Sequence, residues 1–444
     1  RSCRPAGQRI DGEAGERRMS TVIRLTWGLA DQAVSSMTNF AVGVFVAKAL
    51  GPVEFGVFSL AWVTYTVVLN ISRGVSTDPL VVRFSGVAPA RWGLAVSRST
   101  ATALQVGLVA GALCVTVGLI LGSTVSGSVG TAFAGLGVVL PALMLQDSWR
   151  FAFFAAGLGK RAFGNDMVRG VALVPLMVLA AQHGSMLGFL LAWGGSAAVA
   201  AGYGWWQTGL RPAWSGTRSW LHDHRELGPR YLVENVSISG ATQLRAYGLG
   251  AVAGLADVGA VRGAELLLGP FLAVLMGLSL VAVPEAARML RRGRRQLVSF
   301  CRWLGGIQAG AALLWGVALL VLVDDDLGRL VLGDVWPLAS ELIVPVTLDV
   351  AAAGLMNGAA AGVRALGAAR RSLRAQLITA GAYLTAGLAG AVAGGAAGSA
   401  WGVAVALGLG AAAWWWQLAA GLREHDFAAG VAAGTGESAA TRQR

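Results

Sequence analysis

The sequence predicts an all-α integral membrane protein with about twelve transmembrane helices, arranged as two six-helix bundles related by a parallel internal repeat. Three observations lead there: a composition too apolar for water, basic residues that alternate between the two sides of the membrane, and a chain that matches itself at a fixed offset. Of the 444 residues, 55% are hydrophobic and 13% charged, with a mean hydropathy of +0.62. A soluble domain carries about 25% charged residues. Half that number cannot cover a surface in water, so soluble enzymes are excluded.

Residues 1–20 are polar and Arg-rich, with the first methionine at Met19, and read as a disordered or artefactual extension. Apolar runs between charge clusters then give spans at 25–47, 57–79, 99–121, 131–149, 167–182 and 186–207, which form the N-terminal bundle, 21–207. The fifth is short and contains Pro175, and His183-Gly184 separates it from the sixth. Residues 208–230 mix Pro212, Trp214, Arg218, Trp220 and Arg225, which suits a cytoplasmic linker lying on the membrane surface. The C-terminal bundle, 231–422, holds spans at 231–252, 264–284, 303–323, 338–360, 375–396 and 399–421. A turn at Gly398-Ser399 divides the last two, and 423–444 reads as a disordered tail.

The net charge of +12 does not call for nucleic acid. With the N-terminus inside, the inner segments hold 30 of the 35 basic residues and the outer loops three, Lys48, Arg262 and Arg329. Arg73 and Arg245 fall within spans. An asymmetry that alternates with every span places both termini in the cytoplasm. The scarcity of lysine, two against 33 arginines, together with 63 glycines, suggests a GC-rich bacterial genome and hence the plasma membrane.

The repeat has an offset near 203. Asp31-Gln32 matches Glu234-Asn235, Glu54-Phe55-Gly56 matches Asp257-Val258-Gly259, and Pro79-x-x-x-Arg83 matches Pro284-x-x-x-Arg288. Leu158-Gly159 matches Leu366-Gly367 further on. Two bundles in parallel repeat can rock about a central path, and a repeat that duplicates buried acids favours transport over a scaffold.

Other features predict structure. Three scattered cysteines give neither a disulfide framework nor metal spacing. His222-x-His224 lacks further ligands. Asp324-Asp325-Asp326 reads as a solvated outer run, and Gly390, Gly394 and Gly398 as a close-packing ladder. Asp147-Ser148-Trp149-Arg150 and Asn165-Asp166 read as interfacial anchors. No P-loop, His-Glu-x-x-His or Ser-His-Asp arrangement is present, so no enzyme activity, cofactor or metal is expected.

Leu50-Gly51-Pro52-x-Glu54-Phe55-Gly56 between two apolar helices, with Leu255-Ala256-Asp257-Val258-Gly259 as its second-half counterpart, resembles the polysaccharide-exporting flippases. These belong to the multidrug/oligosaccharidyl-lipid/polysaccharide (MOP) exporter superfamily. The resemblance runs from about Thr21 to Leu422 and implies a MATE-like architecture. It also implies a cargo, an isoprenoid-pyrophosphate-linked oligosaccharide moved from inner to outer leaflet. Glycosyltransferases and a polymerase of the same pathway are the implied partners, with a cation or the membrane potential as driving force. An Arg inside a bundle can pair a pyrophosphate bidentately, which makes Arg73 and Arg245 the substrate-binding candidates. Each could instead pair with a nearby acid, Asp78 or Glu265. Asp31, Glu234 and Glu265 are the coupling or gate candidates. A cation-coupled multidrug antiporter of the same superfamily would rest on Asp31, Glu234, Glu265 and Asp349. A membrane polymerase or glycosyltransferase would normally require a large outer loop bearing catalytic acids, and most outer loops here are short.

Overall fold

The computed structural model describes the backbone of residues 6–85, 87–226 and 228–441, and the side chains of 26–85, 87–226, 239–269, 271–272 and 282–425. The predicted extension at 1–20 and nearly all of the predicted tail at 423–444 lie outside the described side chains. The chain forms two compact units, residues 1–50 with 57–239, and residues 51–56 with 240–444.

The first unit opens with α1 (Ala6–Ser72), which the sequence reads as two spans joined by a loop. The join is a kink at Gly51, where φ is +74°. Pro52 follows, and a proline fits the first turn of a resumed helix because its missing N–H is not needed there. A π-helical turn at Arg73–Thr77 leads into α2 (Asp78–Phe84). Pro79 explains the disturbance, since it has no N–H to offer the Val75 carbonyl one turn back. The indole of Trp220 donates to that carbonyl instead, at 3.1 Å, and Ser99 Oγ donates to the Ser76 carbonyl at 3.0 Å.

Next come α3 (Pro89–Thr124) and α4 (Gly127–Ala155), which pack as an antiparallel hairpin. Glycines line the seam. A Cβ on Gly118 would lie 2.5 Å from the Ala134 nitrogen, and one on Gly111 would overlap the Gly137 carbonyl. Close backbone approach is how helices associate where no water drives them together. α5 (Gly159–His183) ends on Gly184, at φ +57°, and Ser185 caps α6 (Met186–Thr208) by accepting from Gly188 N. The boundary predicted at His183-Gly184 is where the chain turns.

The stretch 208–226, read as part of a surface linker, is fastened to the first unit. Ala213 N donates to Ser97 O, and Trp220 of the short α7 (Thr217–Asp223) is buried beside Leu80, Trp149 and Phe153. The division between units accordingly falls at Ser239–Gly240, inside α8 (Gly228–Val252), rather than at 208–230.

The second unit continues with α9 (Leu255–Arg292), α10 (Arg294–Leu322), α11 (Asp325–Leu332), α12 (Trp336–Ser340), α13 (Ile343–Ala365) and α14 (Ala369–Thr441). Its α10–α13 seam repeats the small-residue packing of α3–α4: Gly354 and Gly358 face Gln308, Ala309, Cys301 and Gly305. Asp324 caps α11 by accepting from Leu327 N, and Asp325 accepts from the Trp336 indole, so the acidic run holds folded structure. α14 breaks at Gly394–Gly395, four residues before the predicted turn at Gly398-Ser399. Asp257 fixes the break by accepting from Ala396 N at 2.8 Å, which leaves Gly398 free to pack on Gly390. In the same unit, the turn at 51–56 meets the start of α9 without side chains between them: a Cβ on Gly56 would overlap the Leu255 carbonyl, and one on Gly259 the Pro52 carbonyl.

Eight helical runs among the described residues are long and apolar enough to cross a membrane, and two of these, Thr26–Phe84 and Ala369–His425, contain a kink. Dividing each bent run makes ten, and α8 and α9, whose side chains are described only in part, take the places of the other two expected spans. The chain is an all-helical, multi-pass membrane protein.

Candidate functional site

Helices α4 and α5 carry the same pattern, an amide, an acid and an arginine four residues after the amide: Gln146-Asp147-x-x-Arg150 and Asn165-Asp166-x-x-Arg169. At 3.6 residues per turn this spacing puts all three groups on neighbouring positions of one helix face. The two faces meet, and α1 contributes Asp31 and Gln32. Arg150 Nε donates to Asp31 Oδ2 at 2.6 Å, its Nη2 reaches Gln32 Oε1 at 3.3 Å, and Asp166 Oδ2 lies 3.3 Å from Nε. Gln146 Nε2 donates to Asp166 Oδ1 at 2.8 Å. Arg169 Nη1 donates to Gln146 Oε1 at 3.3 Å, while its Nε and Nη2 are buried without a partner. Asp31 is fully buried, and one of its oxygens is likewise unpartnered.

Arg73 stands in the π-helical turn, which rotates it toward α4. Its Nη2 and Nε fork onto Asp147 at 2.6 and 3.0 Å, and its guanidinium lies 4.9 Å from the Phe151 ring centre. The acid that its guanidinium forks onto is therefore Asp147, whereas the alternative to substrate binding named Asp78. The residues read as interfacial anchors, Asp147, Arg150 and Asp166, form the ionic centre of the first unit. The duplicated amide-acid-x-x-Arg pattern was the available signal for them.

The second unit has a smaller cluster. Arg245 Nη2 donates to Glu265 Oε1 at 3.0 Å, and Arg262 reaches the other oxygen at 3.3 Å. The Arg245 guanidinium lies 5.2 Å from the Tyr383 ring centre, and its Nε is buried and unpartnered. Gly387 makes room for it, since a Cβ there would come within 2.9 Å of the arginine's Cδ. Asp349 of α13 is in electrostatic range of Arg245 and Glu265 and has no ion pair among the described residues. Of the predicted site residues, Arg73 and Asp31 thus join one cluster, and Arg245 and Glu265 the other. Glu234 lies outside the described side chains.

His224 Nδ1 meets the Trp220 carbonyl at 2.8 Å, and its ring lies 4.1 Å from that indole, so it secures the loop.

No family model and no curated protein matches the chain. Solved structures do. A multidrug resistance MATE family transporter of the MOP superfamily, in an inward-facing conformation, aligns with a TM-score of 0.68 at 16% identity, over 88% of this chain and 96% of that one. The fold is that of the MATE-type transporters. The lipid II flippase MurJ, in an inward closed conformation, aligns with a TM-score of 0.64 at 11% identity, over 88% of this chain and 87% of that one. A MOP superfamily transporter from Pyrococcus furiosus, described as having a binding pocket of reversed polarity, gives 0.55 at 14% identity, over 90% and 96%.

Proposed function

We propose that the chain exports an amphipathic anion across the membrane, an isoprenoid-pyrophosphate-linked oligosaccharide passed from the inner to the outer leaflet. The observation that carries this reading is Arg169. The residue is 5% exposed, two of its nitrogens lack partners, and no carboxylate lies in salt-bridge range among the described residues. A buried cation in a spanning helix is costly unless something offsets it, and a phosphate oxygen pair is the partner a guanidinium fits. The acids of the same cluster are engaged: Asp147 by Arg73, Asp31 by Arg150, and Asp166 by Gln146 and Arg150. A receptor for cationic drugs would leave such carboxylates free. Arg245 extends the reading to the second unit, because it shares the Glu265 carboxylate with Arg262 and keeps one unpartnered donor.

A second reading, a cation-coupled multidrug antiporter, is favoured by Asp349, a carboxylate within α13 without an ion pair among the described residues. Purified protein in liposomes separates the two. Movement of a fluorescent lipid-pyrophosphate-sugar between leaflets, abolished by Arg169→Gln, is the expected result. Extrusion of a cationic dye against an imposed cation gradient, with no movement of the lipid, would assign the chain to the second reading.

A further inference from the structure

A groove of about 700 Å³ runs along the first unit between α3, α4, α6 and the loop that follows α6. Leu104, Pro141, Ala142, Leu145, Ala198 and Gly202 form its apolar floor. Trp205, Arg211 and Trp214 stand at one end. That volume falls within the range of sites for small organic ligands, about 300–1,000 Å³. None of the ionic cluster described above lines it.

Two features specify what fits. The first is charge. Arg211 lies over the Trp205 ring at 5.7 Å, Arg161 reaches the carbonyl of Gln207 at the end of α6, and Arg98 packs against Gly216. None of the three forms an ion pair among the described residues. The second is the long apolar floor, to which the buried Trp149 adds part of the wall. An occupant therefore needs an anionic group at the Arg211 end and an apolar chain below. Pro141 to Trp149 spans eight residues, about 12 Å of helix. That length suits the upper part of a fatty acyl chain.

We propose that this groove is a binding site for one anionic glycerophospholipid. Its phosphate sits against Arg211, and an acyl chain lies over Gly202. The site is separate from the cargo path and belongs to the leaflet next to the Arg-rich loop, where anionic lipid and basic side chains attract each other.

Native mass spectrometry of the full chain, with phosphatidylglycerol or phosphatidylcholine added to the micelles, tests this. One phosphatidylglycerol should remain bound and phosphatidylcholine should not. Arg211→Ala should weaken retention about tenfold, the loss expected for a hydrogen bond to a charged group, and Arg211→Lys should keep most of it. Gly202→Leu fills the groove from a position where a Cβ meets nothing within 4 Å, so the fold should tolerate it while lipid is lost. Equal retention of phosphatidylcholine, wild-type retention by both the Ala and Leu variants, or displacement of phosphatidylglycerol by an equal amount of a polyprenyl phosphate would each overturn the assignment.

Discussion

Arg150 is where the buried charges of the first unit converge, and the cost of removing it follows from what it leaves behind. Asp31 is fully buried and would lose its only cationic partner among the described residues. Stranding such a charge costs about 3–5 kcal/mol. Arg150→Gln is therefore expected to lower the thermal midpoint in detergent sharply, and adding Asp31→Asn should restore much of it. Purely additive losses in that double-mutant cycle would show that the two are not coupled. Arg169 should behave in the opposite way. It carries unpartnered buried donors, so Arg169→Met should leave the midpoint unchanged or raise it by about 1 kcal/mol of stability, yet abolish lipid movement in liposomes. A variant that both melts early and stops transport would make Arg169 structural.

At the scale of the elements, the helix carrying Arg73 depends on a side chain from a different part of the chain. Trp220→Phe keeps an aromatic side chain but deletes the N–H that serves the Val75 carbonyl, together with part of the buried ring. An unsatisfied buried acceptor costs about 1–3 kcal/mol, measurable as a lower melting temperature. The same loop should respond to pH. Burial pushes the His224 imidazole below its ordinary value of 6.5, a shift that the nearby Arg83 reinforces and Asp223 opposes. The folded chain favours the neutral ring, so this contribution is complete above about pH 6.5 and is lost as pH falls through the lower folded value. Melting curves from pH 8 to pH 5 should show a decline that His224→Gln flattens. These contacts also show where sequence reading stops. Hydropathy and the alternation of arginines gave twelve crossings because both are local properties. The π-helical turn was not legible, because the partner that makes it tolerable lies 145 residues away. The break in α14 was placed late because 390–398 is so rich in glycine that hydropathy offers no choice among positions, and the distant Asp257 makes it. The acids and arginines of the site were visible one by one. Their pairing was not, since Arg73 had several acids within helical reach and only the rotated turn selects Asp147.

For the whole molecule, the basic asymmetry makes a topological claim. Reporter fusions at residue 328 and residue 428 should read external and cytoplasmic respectively, and two identical readings would refute twelve crossings. The small-residue seams of α3–α4 and α10–α13 each make a hairpin in which there is no room to add atoms. Gly118→Ala should cost about 1–3 kcal/mol from overpacking alone, read as reduced yield of folded protein. The turns at Gly56 and Gly259 have a different kind of consequence. They stand at corresponding positions of the repeat, and each glycine rests on the backbone of the other's turn. A side chain gained at either position would damage both, and a later change in the second turn could not make space for it, since what stands in the way is a carbonyl. The two positions therefore act as a single constraint, and a side chain at either one requires the backbone of the other turn to move.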